Sequence, residues 1–274
     1  MTEQERRIIA ALQVKPGEHI RLKERDPRDS SLFGDQQETK AATAVLTREI
    51  DTLQDRLYAE GSRALLVVLQ GTDTSGKDGT IRNVFNATGP LGVSVTAFGV
   101  PTKRELEHDF LWRIHAACPR RGTIGIFNRS HYEDVLVAKV RTLVSKETIE
   151  QRYDQINDFE RMLTENGTTI LKFMLHISKD EQKERLQERL DDPKKHWKFN
   201  PGDLEDRQHW DEYQEAYETM LRRCSTAYAP WHVIPADRKW VRNAAIASIV
   251  KATLEDLNPQ YPKADWTPDT FTIP

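Results

Sequence analysis

The sequence has little cysteine, ordinary amounts of glycine and proline, and no long apolar run. Its two cysteines, Cys118 and Cys224, stand far apart and in no paired motif, which predicts a reduced intracellular protein. We expect both to be small buried residues, with a catalytic thiol as the alternative. Thirteen glycines and thirteen prolines in 274 residues exclude a collagen-like or low-complexity chain. No run approaches 18 apolar residues and the N-terminus lacks the apolar core of a signal peptide, so we expect a cytoplasmic location and no membrane partner.

The chain also lacks an excess of charge of either sign. Forty Lys and Arg residues stand against 43 Asp and Glu residues, giving a formal net charge of −3. This balance excludes a surface coated in positive charge, and we expect no nucleic-acid partner. Any affinity for a polyanion must therefore come from a local cluster of basic residues.

Short buried-type strands alternate with helix-length stretches along the chain. The five apolar runs cover residues 64–69, 93–98, 123–127, 169–177 and 231–235. This order predicts an α/β fold with a mainly parallel sheet, because strands buried on both faces read as continuous apolar runs. A long amphipathic helix is predicted over residues 37–60, ending at Gly61. We expect a single domain over residues 1–274, with an N-terminal arm over residues 1–36, irregular from residue 13, and a lid over residues 183–210.

A glycine-rich loop follows the first predicted strand and precedes a predicted helix. Residues 71–80 read GTDTSGKDGT and fit the phosphate-binding pattern G-x-x-x-x-G-K. Glycines let backbone N–H groups turn inward around an anion, and the helix adds its N-terminal dipole. The predicted phosphate-binding residues here are Gly71, Thr74, Ser75, Gly76, Lys77, Asp78, Gly79 and Thr80.

Two carboxylates accompany this loop. Asp78 stands where Ser or Thr usually reaches Mg²⁺, and it either binds at the site or favours the start of the helix. Asp73 lies within the loop, where it either holds Mg²⁺ or orients the acceptor phosphate. We therefore expect Asp73 to be the metal ligand, with Asn128 nearby and a bridging water as one arrangement.

The third predicted strand runs into Asn128 and Arg129 at the sheet edge where ligands bind in open α/β folds. An arginine there can stabilise charge on a transferring phosphoryl group. The alternative is a structural ion pair between Arg129 and Glu133 or Asp134.

The predicted lid is rich in basic residues. A helix should end near Asp191, because Pro193 disfavours helix in the residue before it, and a second helix should run from Asp203 or Leu204 to about Thr226. Arg185 and Arg189 are four residues apart and share a helix face. The predicted lid contacts to phosphate or nucleotide are Arg185, Arg189, Lys194, Lys195, Lys198 and Arg207. A solvated helix face with local ion pairs is the alternative.

Taken together, these stretches resemble the polyphosphate kinase 2 family of polyphosphate:nucleotide phosphotransferases. The matching segments include GTDTSGKDGTIRNVF (71–85), GIFNRSHYEDVLV (125–137), ILKFMLHISKDEQKERLQERLDDPKKHWKF (170–199) and YAPWHVIPADRKWVRN (228–243). The resemblance covers nearly the whole chain. It implies a three-layer α/β/α phosphate-loop kinase fold with a helical lid. The Asn128 form of the strand-end motif resembles the class that phosphorylates both AMP and ADP.

The resemblance also implies site roles and partners. It implies direct in-line transfer between inorganic polyphosphate and purine nucleotides, dependent on Mg²⁺ with Mn²⁺ as a substitute, in a homo-oligomer that is a dimer or tetramer. The residues at the family's catalytic positions are Asp73, Lys77, Arg129 and Arg189. Two alternatives share the loop: an ATP-dependent nucleoside monophosphate kinase and a non-enzymatic nucleotide-binding regulator.

Overall fold

A parallel sheet of five strands forms the centre of the protein. A computed structural model describes residues 1–267, 270 and 273. The strands are β1 (Ala64–Gln70), β2 (Val93–Ala97), β3 (Ile124–Asn128), β4 (Thr168–His176) and β5 (Trp231–Pro235). Their order across the sheet is β2-β3-β1-β4-β5, and each neighbouring pair is parallel. The predicted α/β fold is therefore confirmed.

The central strand explains why these segments are apolar throughout. All seven residues of β1 are buried, because helices cover both faces of the sheet. Alternate side chains enter opposite cores: Leu66 and Val68 belong to one apolar cluster, and Leu65 and Val67 to the other. The two cores make three layers, with the sheet in the middle.

Helices of very different length surround the sheet. Within the described residues they are α1 (Glu3–Leu12), α2 (Gln36–Glu60), α3 (Lys77–Val84), α4 (Lys103–Leu106), α5 (Trp112–Ala117), α6 (Val137–Val140), α7 (Lys146–Glu165), α8 (Lys179–Asp191), α9 (Gly202–Gln208), α10 (Trp210–Cys224) and α11 (Lys239–Leu257). Helix α2 begins at Asp35, whose carboxylate accepts from the Gln37 and Glu38 N–H groups, and ends at Gly61 in the left-handed conformation. The predicted helix and its cap are confirmed.

The N-terminal arm packs against the domain. Helix α1 starts with a capping box at Thr2 and Glu5, and the irregular path predicted after it holds one 3-10 turn at Leu22–Glu24. Val14 and Leu22 are fully buried in the core. The Arg28 guanidinium lies 3.1 Å from the Asp237 carboxylate beyond β5, so the arm reaches the sheet edge where the lid begins.

The lid departs from the prediction in one respect. Helix α8 ends at Asp191 as predicted, and a 3-10 helix (Pro193–Lys198) follows. The single return helix predicted from residue 203 or 204 to 226 is wrong, because α9 ends at Gln208 and α10 starts again at Trp210. His209 leaves helical geometry with ψ 28°, and acidic residues in the first turn of α10 favour a fresh helix start.

Both cysteines are at least partly buried, as expected of packing residues. Cys224 is buried and Cys118 is partly buried, and burial raises the pKa of each thiol to about 12. A thiolate nucleophile at neutral pH is therefore disfavoured, which supports the packing role.

Across the described ranges, no helix is both long and apolar enough to cross a membrane.

Candidate active site

A cleft of about 1210 Å³ opens at the carboxyl edge of the sheet, above the ends of β1 and β3. Eleven of its lining residues are Lys or Arg and five are Asp or Glu. Ligands of open α/β folds bind at this edge. The nearly neutral chain therefore concentrates positive charge in one concave surface.

The phosphate loop, residues 71–77, connects β1 to α3 along the floor of the cleft. Thr74 is a non-glycine residue in the left-handed region, with φ 65°. Position 71 requires glycine because the Leu175 backbone passes close to it: a Cβ there would lie 2.7 Å from the Leu175 carbonyl oxygen. The hydroxyls of Thr72, Thr74, Ser75 and Thr80 are buried and find no hydrogen-bond partner within the described part of the chain. Orphaned donors in such a loop suit a bound anion.

Lys77 lies on the inner side of this loop. Its Nζ donates to the carbonyl oxygens of Gly71 at 2.7 Å and Thr72 at 3.2 Å. Burial, with the nearby charge of Arg129, lowers the pKa of Lys77 to about 8. The ammonium therefore sits in a dry, positive environment that an incoming phosphate would relieve.

Asp73 and Arg129 form the ion pair at the centre of the cleft. Arg129 Nη2 donates to Asp73 Oδ1 at 2.5 Å, and Arg129 Nη1 lies 3.7 Å from Glu133 Oε2. Arg129 has φ 63°, a strained conformation for a residue with a Cβ. Burial opposes the charge of Arg129, but the Glu133 and Asp73 carboxylates outweigh it and raise the pKa of the guanidinium. Arg129 therefore lines the cleft and also makes the ion pair with Glu133 that was the alternative.

Asp78 lies on the first turn of α3 and joins three parts of the site. Its carboxylate accepts a 2.7 Å hydrogen bond from Asn128 Nδ2 at the end of β3. The lid residue Lys198 places its Nζ 3.7 Å from the other carboxylate oxygen. Asp78 is thus positioned at the helix N-terminus and also faces the cleft.

The lid supplies Arg189 to the opposite wall. Arg189 Nη1 donates to the Lys198 carbonyl at 2.8 Å and to Asp203 Oδ2 at 3.0 Å. Burial and the Asp73 carboxylate raise the pKa of Asp203 to about 6. Lys194, Lys195 and Lys198 also line the cleft, and Lys195 pairs with Glu188 on α8.

Arg185 differs from its expected role in phosphate binding. Its five N–H groups are directed to Glu181 and to four backbone carbonyls, those of Thr74, Ser75, Ala236 and Asp237. Arg185 lines part of the cleft, but its side chain is buried and none of its five N–H groups is left for a phosphate. It fixes the loop to the ends of β5 and α8.

Arg207 is another lid residue that the fold places elsewhere. It donates to the Lys179 carbonyl and to Gln182 Oε1, and it is not among the residues that line the cleft.

Two of the predicted phosphate-binding residues, Ser75 in the loop and Thr80 on α3, are fully buried. The loop residues Thr74, Gly76, Lys77, Asp78 and Gly79 do line the cleft, as predicted.

Sequence reasoning missed the start of α11. Arg242 is buried, donates to the Ser75 carbonyl at 3.4 Å, and lies so close to Gly76 that a Cβ there would be 1.8 Å from Arg242 Nη1. Lys239 and Trp240 line the same wall. The available signal was the position of this basic segment directly after β5, because the carboxyl ends of parallel strands share one edge.

The carboxylates beside the phosphate loop are candidate metal ligands. No group of three or more His, Cys, Asp or Glu side chains that could hold a metal occurs in the described residues. Asp73 and Asp78 nevertheless both line the cleft beside the phosphate loop. Mg²⁺ at phosphate sites usually takes one or two carboxylates together with phosphate oxygens. The donor set therefore fits Mg²⁺ that arrives with a phosphate ligand.

Comparisons with known proteins agree with this geometry. Residues 33–262 match the family described as Polyphosphate kinase 2. The chain is 55% identical over 261 residues to an AMP/ADP-polyphosphate phosphotransferase of Meiothermus ruber, covering 95% of this chain and 98% of that protein. It is 42% identical over 226 residues to an ADP-polyphosphate phosphotransferase of Rhodopseudomonas palustris, covering 78% of each.

A solved structure shows the same fold. The crystal structure of Polyphosphate Kinase 2 from Arthrobacter aurescens TC1 superposes with a TM-score of 0.90 at 44% sequence identity. The match covers 94% of this chain and 93% of that chain.

Proposed function

The chain belongs to the polyphosphate kinase 2 family, and we propose that it transfers phosphoryl groups between inorganic polyphosphate and the nucleotides AMP and ADP. Both substrates are anionic phosphate chains, and they must meet at one point. The observation that carries this proposal is the cleft in which Lys77 and Arg129 face a lid that adds Arg189 and three lysines. Guanine nucleotides are further acceptors to be tested.

The chemistry proposed is direct in-line transfer, with no phosphorylated enzyme. Phosphoryl transfer asks for alignment and charge neutralisation more than for a protein nucleophile. The N–H groups of the phosphate loop and the Lys77 ammonium grip the phosphates next to the reacting bond. Arg129, held by Asp73 and Glu133, presents its guanidinium to the moving phosphoryl group.

The lid would complete the site. Arg189 is tethered to Asp203 and to the lid backbone, and Lys198 reaches Asp78 at the phosphate loop. These contacts support a lid that closes over bound phosphates and excludes water, which prevents hydrolysis of the donor chain. Arg189 would then exchange its Asp203 partner for a phosphate oxygen.

We infer that Mg²⁺ is the metal, held by Asp73 with phosphate oxygens. When bound, the ion neutralises phosphate charge and orients the chain. Asp78 and Asn128 stand beside this position, and their mutual hydrogen bond keeps the Asp78 carboxylate aimed at the cleft.

The proposal is tested by omitting ATP. Purified protein is incubated with AMP or ADP, polyphosphate and Mg²⁺, and new nucleotide is followed by chromatography. Formation of ADP or ATP supports the proposal. An ATP-dependent monophosphate kinase would phosphorylate AMP only when ATP is added, and a binding regulator would turn over neither donor. Rapid-quench detection of a phosphorylated enzyme would count against direct transfer.

A homo-oligomer is proposed as well, on the strength of the family. Its support in the fold is the edge strand β2, where Val95 is half exposed and the neighbouring Val100 is almost fully exposed. Such an edge offers unpaired backbone groups to a second copy. Light scattering of the purified chain distinguishes a monomer from the expected dimer or tetramer.

A further inference from the structure

Two residues join the central sheet to the lid. Strand β4 ends at His176 and helix α8 starts at Lys179, so Ile177 and Ser178 form the connection, which we call the lid hinge. Ser178 is the N-cap of α8, and its hydroxyl accepts a 3.0 Å hydrogen bond from the Glu181 N–H. The groups that hold Ser178 therefore set the direction in which α8 leaves the sheet.

The carboxylate of Asp237, just beyond β5, holds this hinge from the neighbouring strand. Its Oδ1 accepts from the Ser178 N–H at 2.8 Å, and its Oδ2 accepts from the Ser178 hydroxyl at 2.8 Å. The Asp237 side chain is only 1% exposed, so these charge-assisted hydrogen bonds lie out of water, where they are strong. Because the Ser178 hydroxyl donates to Asp237 and accepts from Glu181, its rotamer is fixed.

The N-terminal arm completes the surroundings of Asp237. Arg28 Nε donates to Asp237 Oδ2 at 3.1 Å, and the Asp237 N–H donates to the Pro27 carbonyl at 3.1 Å. The next residue, Arg238, donates from Nη1 to Ser30 Oγ at 2.7 Å. The arm and the lid hinge therefore share one buried carboxylate.

Helix α8 carries the direction set at the hinge into the active site. Arg185, two turns after Ser178, ties α8 to two carbonyls of the phosphate loop and to the Asp237 carbonyl. Arg189, one turn further, lines the cleft. At helical rise Arg189 lies about 16 Å from Ser178, so a tilt of about 4° at the hinge shifts its backbone by about 1 Å. A displacement of that size at a reacting centre can cost up to about 100-fold in rate.

We propose that Asp237 is a positioning residue for phosphoryl transfer, supported by Arg28 of the N-terminal arm: the shared carboxylate fixes the lid hinge and thereby the place of Arg189 over the reacting phosphate. This rests on the proposed function, in which Arg189 acts from the closed lid. In the described part of the chain, neither Asp237 nor Arg28 is among the residues that line the cleft, so both act through α8 and not on a substrate. Loss of either should slow transfer and admit water to the donor, with little change in substrate binding.

Arg28→Ala tests this in the full chain, because the Arg28 side chain is 55% exposed and its loss leaves no hole in the core. The assay measures kcat and both KM values for phosphorylation of ADP by polyphosphate, and the phosphate released to water per nucleotide formed. Hydrolysis transfers a phosphoryl group to water, breaking one P–O–P bond of the donor and releasing inorganic phosphate. We expect kcat to fall about threefold, hydrolysis per transfer to rise about threefold, and both KM values to change less than about twofold. Arg28→Lys, which restores the charge, should recover most of the loss.

Asp237→Asn should show the same pattern more strongly. We expect kcat to fall about tenfold, because the amide lacks the negative charge that holds both Ser178 and Arg28. Should this buried substitution prevent folding, the Arg28 variants decide alone.

Arg21→Ala is the matched control, since Arg21 is another exposed arginine of the N-terminal arm and pairs with Glu24 within it. It should leave kcat and the hydrolysis ratio unchanged. The proposal is overturned if Arg28→Ala lowers only the unfolding temperature, if it raises a KM without lowering kcat, or if Arg21→Ala has the same effect. A wild-type protein that uses no polyphosphate at all would refute the proposed function, which is a separate result.

Discussion

Asn128 Nδ2 donates a 2.7 Å hydrogen bond to the carboxylate of Asp78, joining the end of β3 to the first turn of α3. If residue 128 were Asp instead of Asn, the same contact would bring two carboxylates face to face. The neutral amide places no second negative charge beside Asp78, which lies next to the phosphate loop and within reach of Lys198.

Asn128→Asp should therefore destabilise the protein in a pH-dependent way. At pH 8 two like charges face each other, and we expect Tm to fall by about 2 to 4 °C. At pH 5 the loss should be smaller, because one carboxyl takes up a proton and donates as the amide did. Thermal unfolding at both pH values measures this. Asn128→Ala is the control, since it loses the hydrogen bond at every pH; an equal Tm loss for Asn128→Asp at pH 5 and pH 8 would contradict the interpretation.

Replacing the loop lysine separates activity from stability. Lys77→Met should reduce kcat by about 100-fold or more, because it removes the loop cation that we propose grips the phosphates next to the reacting bond. Unfolding should occur at a temperature no lower than in the wild type, because a buried ammonium with a pKa of about 8 is costly to keep charged. Lys23→Met, at an exposed position of the N-terminal arm, should alter neither kcat nor the unfolding temperature. Near-normal turnover by Lys77→Met would remove the loop from the mechanism.

The same lysine predicts opposite pH trends for binding and for stability. Burial lowers its pKa from 10.5 to about 8, so the unfolded chain binds more protons than the folded chain between those values. The contribution of Lys77 to the free energy of unfolding should therefore rise with pH in that window. Phosphate binding should instead weaken, with kcat/KM falling above pH 8. Parallel pH profiles of kcat/KM and of denaturant unfolding check this, and Lys77→Met should lose the stability trend.

Gly76 and Gly17 both have a positive φ, but only Gly76 is crowded by a neighbouring side chain, so the pair separates backbone strain from steric crowding. Gly76→Ala should lower the free energy of unfolding by about 2 kcal/mol or more, because its Cβ would meet Arg242 Nη1 at 1.8 Å. Gly17→Ala, also at positive φ but in open space, should cost about 1 kcal/mol of conformational strain. Denaturant titration compares them. Equal losses would mean that Arg242 moves aside at no cost.

Added salt should weaken the binding of the polyphosphate donor more than the binding of the nucleotide. The cleft has eleven basic and five acidic lining residues, although the whole chain is nearly neutral. We expect the KM for polyphosphate to rise with NaCl more steeply than the KM for AMP, because more charges are screened along a longer chain. Initial rates over a salt series at fixed pH measure both slopes, and equal slopes would argue against a multi-contact polyanion site.

Much of the fold could be predicted because its signals are local. The five apolar runs lie on the five strands, with ends shifted by one residue or so, and the loop between β1 and α3 has its glycines where the backbone needs them. The break at His209 was not predictable in this way, since residues 205–209 include neither glycine nor proline.

The site was harder to predict because its contacts are between distant segments. Arg185 and Arg189 share one helix face and both line the cleft, yet Arg185 directs all its N–H groups to Glu181 and backbone carbonyls, whereas Arg189 pairs with Asp203. Helical spacing predicts the shared face but not which turn of α8 lies against the phosphate loop. Arg242 lies on a helix most of whose side chains are buried, so helical spacing does not single it out. Its proximity to the loop follows from the position of α11 directly after β5, at the same edge of the sheet as the end of β1.

The Ser75 carbonyl accepts hydrogen bonds from both Arg185 and Arg242. Arg242 follows Ser75 by 167 residues in the chain. During synthesis, the loop sequence leaves the ribosome long before the side chain that supports it. A nascent chain that ends before Arg242 therefore carries the phosphate-binding sequence without one of the two arginines that hold the Ser75 carbonyl.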